Sequence, residues 1–294
     1  MLPVKPRALI FDLLGDYVRY GAGEIRLKAL VTLSEELGVA PSTVRVMVTR
    51  LRDEGWLDAR REGRESIYSP TPKCLHMLDE GRQRIFRGEP PAWSGSWSMV
   101  IYTVPESDRP TREQLRRDLS WLGFGPLAPA TWVSPHQLLE SVANVGARLP
   151  NARLDLLTMK AADIGADRAI AARCWDLGTL NAEYAEFIRE VRIELADYQL
   201  LHGAPAMESR VRLVQSYRHF PFRDPGIPAE LQPPGWLGEQ ARILFNQAYK
   251  SLAPRAQAHY EEVVGDAENP RNKAAATPLA DSSAVTPPGE TGSA

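Results

Sequence analysis

One stretch of the sequence, residues 38–64, combines hydrogen-bonding side chains at helical spacing with a basic turn. Pro41 suits the first position of a helix, because its missing N–H would have no partner there. A helix advances about 100° per residue, so one face collects apolar side chains: Val44, Met47, Val48 and Leu51. The opposite face carries the kind of groups that contact base edges in the major groove of DNA: Ser42, Arg45, Val46 and Thr49.

The neighbouring segments position this helix. Residues 27–37 predict a preceding helix that Gly38 ends in a left-handed conformation, and alternation from Trp56 to Tyr68 around a turn at 61–64 predicts a hairpin. A basic hairpin beside such a helix is a wing, able to hold phosphate or enter the minor groove. The alternative, an ordinary amphipathic helix and a hairpin with solvated arginines, does not require this order of elements. The predicted DNA-contacting residues are Ser42, Thr43, Arg45, Val46, Thr49, Arg50, Arg52, Arg60, Arg61 and Arg64.

Composition bounds the rest of the interpretation. The chain has 294 residues, 44% of them hydrophobic, and a formal net charge of −2, which excludes a polycationic nucleic-acid coat. Its two cysteines, Cys74 and Cys174, give neither a zinc spacing nor a disulfide framework. The N-terminal apolar run is interrupted by Asp12, and no run approaches the length of a membrane span. We therefore expect a cytoplasmic protein with no membrane association, no metal and no cofactor.

The distribution of patterns predicts a multidomain α+β chain. Strand signals at 97–104, 130–134 and 153–159 alternate with helix signals at 111–122 and 136–149, which is typical of a ferredoxin-like α+β domain. Helices are expected at 6–20 and, in a mostly helical C-terminal domain, at 180–195, 208–217 and 236–252. The expected segments are a winged helix-turn-helix domain (1–70), a linker helix (71–92), a ferredoxin-like central domain (93–170), a helical effector and dimerisation domain (171–264) and a disordered tail (265–294).

Short motifs spread along most of the chain resemble those of the PaaX family of transcriptional repressors, which control phenylacetate catabolism in bacteria. The motifs are residues 11–19, 23–25, 44–45, 50–57, 60–64, 121–124, 174–177, 223–228 and 231–238. The resemblance implies a winged helix, a central domain similar to the small ferredoxin-like protein of CRISPR adaptation, and a helical C-terminal domain. It also implies a homodimer on a palindrome-like double-stranded DNA operator, released by an acyl-CoA effector such as phenylacetyl-CoA.

Candidate effector contacts lie in the C-terminal part. Arg218 and Arg223 could hold phosphate, with His219 near a thioester or carboxylate; the alternative is a turn with a local ion pair that His219 caps. Aromatic side chains could line an aryl pocket, although such residues are more often simply core. The predicted effector residues are Trp175, Tyr184, Arg218, His219, Arg223 and Trp236.

Two other functions remain open at this stage. A metal-dependent nuclease in the central domain needs a carboxylate at the end of its first strand, but Glu106 and Asp108 come only after Pro105. Hydrolase and nucleotide-binding loops are absent from the sequence. A scaffold tethered to DNA without any effector is the third possibility. We expect a repressor and no enzymatic activity.

Overall fold

The computed structural model describes residues 5–88 and 92–268. Within these ranges the chain is a mixed α+β protein with two small sheets and a helical C-terminal part. Of the expected tail, residues 269–294 lie outside the described residues, while 265–268 continue the last helix. The end of the expected linker, residues 89–91, also lies outside them.

The N-terminal unit, residues 5–70, packs three helices against a small antiparallel sheet. Its elements are α1 (Pro6–Asp16), β1 (Ile25–Arg26), α2 (Leu27–Glu36), α3 (Pro41–Asp53), β2 (Leu57–Glu62) and β3 (Glu65–Pro70). The strands are ordered β1-β3-β2, and β2 and β3 form a hairpin in which Glu62 faces Glu65. Gly63 takes a positive φ of 62° at its tip, a conformation that glycine adopts without steric cost.

Helix α3 forms where the sequence predicts it. Pro41 begins it, and Gly38 ends the preceding α2 with φ 79°. Val44, Val48 and Leu51 are fully buried on one face, which fixes the opposite face toward solvent. Burial of such side chains contributes roughly 1.5–3 kcal/mol each, so the orientation of α3 is strongly determined.

Helix α4 (Pro72–Ile85) connects the N-terminal unit to a central unit, residues 92–159. The Thr71 hydroxyl caps α4 by accepting from the Cys74 N–H. The central unit follows the order β4 (Trp97–Thr103), α5 (Arg109–Trp121), β5 (Gly125–Ala128), β6 (Thr131–Ser134), α6 (Leu139–Gly146) and β7 (Arg153–Met159). Its strands are antiparallel and ordered β5-β6-β4-β7.

The C-terminal part consists of helices, with long ones packed side by side. They are α7 (Ile164–Cys174), α8 (Leu177–Glu194), α9 (Gly203–Tyr217), the short α10 (Phe220–Arg223) and α11 (Gly238–Glu268). Helix α11 continues through Pro254, although proline removes one helical hydrogen bond. Leu252 and Ala256, on either side of the proline, are fully buried, and this packing offsets part of that loss.

Several expected boundaries differ from the observed ones. The helix expected at 6–20 ends at Asp16, because Tyr17 leaves helical geometry and buries its ring, and a 3-10 turn follows. The helix expected at 136–149 starts only at Leu139, since the Ser98 hydroxyl accepts from the Leu138 N–H and holds the preceding loop. Helix α7 and strand β5 were not expected; β5 carries glycine and proline, which are depleted in strands.

One apolar core spans the N-terminal unit and the C-terminal helices. Met207 and Val211 of α9, with Ala256 and Tyr260 of α11, belong to the same buried cluster as the side chains of α1, α2 and α3. The rings of Tyr17 and Tyr260 stack with centroids 5.1 Å apart. The N-terminal unit therefore packs against the C-terminal helices over an apolar surface.

Candidate nucleic-acid interface and effector site

The outward face of α3 presents the predicted base-contacting side chains to solvent. Ser42, Arg45 and Thr49 are exposed, and Val46 is 54% exposed, unusually high for an apolar side chain on a well-packed helix. The Thr49 hydroxyl donates to the Arg45 carbonyl at 2.9 Å, which leaves its oxygen able to accept and its methyl group free. This face can therefore offer a cation, hydroxyl groups and apolar contacts to base edges.

The arginines around α3 differ in whether their charge is already compensated. Arg52 lies 2.8 Å from Asp53. In the part of the chain that the structure describes, Arg45, Arg50, Arg61 and Arg64 have no ion-pair partner. These four guanidinium groups carry the uncompensated positive charge of this surface.

Arg60 on the hairpin is held by carboxylates. Its guanidinium contacts Glu24 at 2.5 Å and Glu62 at 2.8 Å, and Arg26 contacts Glu62 at 2.7 Å. Hydrogen bonds from Arg26 and Arg60 lower the pKa of Glu62 to about 2, so this carboxylate stays charged at neutral pH. A phosphate would have to compete with two carboxylates for Arg60, whereas Arg61 and Arg64 face no such competition.

The six predicted effector residues do not converge on one pocket. Tyr184 stacks on Phe220 with centroids 4.3 Å apart, meets Trp236 edge-on and donates its hydroxyl to Asp224. These contacts place Tyr184 and Trp236 in one aromatic cluster.

The other four effector candidates are engaged elsewhere. Arg223 pairs with Glu183 of α8, and His219 Nε2 lies 3.6 Å from the same carboxylate. Glu183 precedes Arg223 by 40 residues, so this is not the local pair that the alternative interpretation expected within the turn. Burial lowers the pKa of His219, which favours its neutral form. Arg218 points away to Asp12 of α1, 2.8 Å distant. Trp175 stacks on the buried Trp97, with centroids 6.4 Å apart. A direct role for Arg218 or Arg223 on a phosphate would require breaking an existing ion pair.

A cavity of about 530 Å³ lies where α4, the central unit and the C-terminal part meet, and we name it the junction pocket. Of the six effector candidates, only Trp175 and Arg223 line it. The residues that matter most for its chemistry are Arg84, Arg87, Trp121, Trp175, Phe222 and Arg223.

Two arginines, one in α4 and one just after it, bring positive charge to the junction pocket, whose lining also includes the carboxylates of Glu80 and Asp224. The Arg84 guanidinium lies 3.8 Å from the ring centroid of Trp121 and 5.2 Å from that of Phe222, and it donates to the Trp121 carbonyl at 2.5 Å. Burial, with a smaller contribution from Arg87, lowers the pKa of Arg84. Neither arginine forms an ion pair with any residue that the structure describes. Basic residues at a helix end are also typical of C-terminal dipole compensation, which explains why the sequence did not single them out.

Of the two carboxylates considered for a nuclease, Asp108 has a structural role. Asp108 accepts from the Thr111 N–H at 3.2 Å as the cap of α5 and from the Asn151 amide at 2.8 Å. Within residues 5–88 and 92–268, no three His, Cys, Asp or Glu side chains lie close enough together to hold a metal ion. Over the same ranges, none of the helices has the length and apolar character needed to cross a membrane.

Comparisons with known proteins match the chain over most of its length. Three family models match it: a PaaX-like protein over residues 5–73, the central Cas2-like domain of PaaX proteins over residues 90–171, and a PaaX-like C-terminal domain over residues 175–262. The chain is 36% identical over 275 residues to the transcriptional repressor PaaX of Escherichia coli strain K12, covering 89% of this chain and 84% of that protein.

A solved structure, the uncharacterized protein Rv0674 from Mycobacterium tuberculosis, is similar in fold. It is 23% identical, with a TM-score of 0.62, and the match covers 87% of this chain and 99% of that one. At this identity the likeness concerns the fold alone, and it agrees with a mixed α+β chain.

Proposed function

This chain belongs to the PaaX family, and on that premise we propose that it is a DNA-binding transcriptional repressor. A regulatory role, and not an enzymatic one, follows from its similarity to a transcriptional repressor. The observation that carries the DNA partner is the exposed face of α3, where Arg45 lacks an ion-pair partner among the described residues and Val46 stays open to solvent.

We assign the N-terminal unit as a winged helix-turn-helix. Helices α2 and α3 are joined by a short glycine turn, and the β2–β3 hairpin follows α3 directly, which is the order such a unit requires. Helix α3 would enter the major groove, and the hairpin would lie against the backbone or minor groove.

We assign the central unit as a ferredoxin-like domain. This assignment is supported by its βαββαβ order of elements, which is the order of that fold.

The operator would be read by a symmetric homodimer. One winged helix rarely buries enough surface for tight specific binding, so two copies are expected to share the site. Their α3 helices would meet successive major grooves about 34–36 Å apart, which makes the operator palindrome-like.

The effector we propose is an acyl-CoA thioester such as phenylacetyl-CoA, bound in the junction pocket. This differs from the set predicted from sequence, because Arg218 and Arg223 are already paired with Asp12 and Glu183. Arg84 and Arg87 suit phosphate groups, since guanidinium groups bind phosphate oxygens through charge-assisted hydrogen bonds. Trp121, Trp175 and Phe222 provide flat apolar walls for an aryl or adenine ring.

The experiment that tests this function selects duplexes from a random pool with the purified chain and then measures affinity for the enriched sequence. We expect a palindrome-like sequence and weaker binding when phenylacetyl-CoA is added, but not when CoA or phenylacetate is added alone. Failure to enrich any sequence would refute the DNA-binding role. If a sequence is enriched but phenylacetyl-CoA does not change the affinity for it, the repressor role stands and phenylacetyl-CoA is rejected as the effector.

The hairpin arginines are expected to contribute unequally. Replacing Arg61 or Arg64 by Ala should weaken binding to all duplexes alike and reduce the slope of log affinity against log salt by about 1. Arg60→Ala should change the slope much less, because Glu24 and Glu62 already compensate its charge. Salt titrations of the three variants on one duplex measure the difference, and an equal loss of slope for Arg60→Ala would contradict the ion-pair argument.

A further inference from the structure

The apolar surface between the N-terminal unit and the C-terminal helices contains a buried polar cluster. Asp12 of α1 is almost fully buried and accepts two hydrogen bonds from the other side, from Arg218 Nη1 and Gln215 Nε2, each at 2.8 Å. We name this cluster the polar latch; its members are Asp12, Asp16, Arg210, Gln215, Arg218 and Tyr249.

One turn farther along α1, Asp16 makes the second set of contacts. Its Oδ1 accepts from the Tyr249 hydroxyl at 3.0 Å, and that hydroxyl accepts from Arg210 Nη2 at 2.6 Å. The Arg210 side chain is only 7% exposed and lies 3.8 Å from Asp16, an ion pair without hydrogen-bond geometry. The guanidinium also faces the Tyr249 ring at 4.2 Å.

This arrangement is costly for an interface that only has to hold two parts together. Buried ion pairs often stabilise a fold no better than apolar side chains of the same volume, because both charges lose their hydration. The polar latch is also incompletely satisfied, since Arg210 Nε is buried with no hydrogen-bond partner among the described residues, and the same holds for Oη of Tyr17, next to Asp16. Burial raises the pKa of Asp12 to about 7, although the nearby Arg218 acts to lower it. The raised pKa reflects the cost of removing the Asp12 carboxylate from water. The polar contacts across this interface therefore add little net stability, so a modest free energy of ligand binding is enough to break them.

The polar latch is joined to the junction pocket through a few residues of backbone. Arg218 immediately follows α9 and precedes His219 and α10, and residues 221–225 form one wall of the junction pocket. Phe220, between them, is fully buried and stacked on Tyr184. A ligand that shifts the wall at 221–225 therefore acts on a segment whose other end carries Arg218.

We propose that the polar latch sets the position of the N-terminal unit for operator binding and that a ligand in the junction pocket acts by opening it. This inference rests on the proposed function for its link to DNA. The closed latch corresponds to the operator-binding form. A ligand that favours the open form must then lower operator affinity, and operator must lower ligand affinity by the same factor.

The test uses Asp12→Asn, Arg218→Gln and the double variant, in the full chain, on the duplex enriched in the selection. Each single change should lower affinity for that duplex about tenfold, a typical coupling. The double variant should be no weaker than the weaker single variant, because both changes break the same contact. Phenylacetyl-CoA should lower the affinity of these variants for the duplex by a much smaller factor than it lowers the affinity of the unmodified chain. Arg189→Gln, which removes the exposed pair with Glu186 on α8, is the matched control and should change nothing.

A second measurement does not depend on DNA or on any ligand. Amide hydrogen exchange in α1 should be faster in the latch variants, while the core of α2 and α3 stays protected, showing that the unit itself remains folded. Gln215→Ala removes one hydrogen bond without leaving a charge unpaired, and it should show a smaller effect in the same direction. If no duplex is enriched at all, the proposed function fails and the exchange measurement still decides the latch. Unchanged exchange in α1, or losses of affinity that add in the double variant, would overturn the proposal.

Discussion

Replacing Arg45 by Ala is expected to lower operator affinity by about 1–3 kcal/mol and to relax discrimination at one base pair of each half-site. Arg45 is exposed on α3 and free of described carboxylate partners, so its guanidinium is available to a guanine edge. Gel-shift titrations on the selected duplex, and on duplexes substituted at single positions, measure both effects.

Arg52→Ala is the control for this prediction. Arg52 is on the same helix and of the same residue type, but it is paired with Asp53. Its loss should reduce affinity much less and should leave base preference unchanged. If Arg45→Ala kept the affinity and base preference of the unmodified chain, α3 would not be the element that contacts the bases.

Replacing Arg84 by Ala is expected to lower the affinity for phenylacetyl-CoA by about 1.5–3 kcal/mol, the usual contribution of a hydrogen bond to a charged group. The side chain is held between Trp121 and Phe222, so its guanidinium is positioned before any ligand arrives. Calorimetric titration measures the loss, and operator affinity without phenylacetyl-CoA should stay close to that of the unmodified chain.

Arg109→Ala tests whether the effect belongs to the junction pocket. Arg109 is on the neighbouring α5, is 81% exposed and pairs with Glu113 away from the pocket lining. Its removal should not alter phenylacetyl-CoA binding. Equal binding by the Arg84 variant and the unmodified chain would move the effector site away from the junction pocket.

Local patterns carried the prediction of α3 because each decisive feature lies within a few residues of the next. Pro41, Gly38 and the periodic burial of Val44, Val48 and Leu51 determine where the helix begins and which face is buried. The ion pairing of Arg60 could not be predicted from local patterns in the same way. Its partner Glu24 precedes it by 36 residues, and only the pairing of β1 with β3 brings that loop to the hairpin.

The junction pocket could not be predicted, because its walls come from three distant parts of the chain. Arg84, Trp121 and Phe222 meet only after the central unit packs against both α4 and the C-terminal part. The sequence predicted arginines and aromatic rings as effector contacts, but it placed all of them in the C-terminal part. Arg218 belonged to that assignment and instead contacts α1, a pairing over 206 residues that no local pattern encodes.

The core that the N-terminal unit shares with α9 and α11 has a consequence for how the chain is made. Asp16 and Tyr249 are separated by 233 residues, so α1 cannot complete its contacts until α11 has left the ribosome. Folding that depends on such distant contacts is slow, because the entropy of closing the intervening loop is lost before the contacts form. During synthesis, the surface of the N-terminal unit that α9 and α11 later cover stays exposed and open to chaperones. Truncation before α11 would leave the same apolar surface uncovered, so a shortened chain should aggregate and should not act as an unregulated DNA-binding fragment.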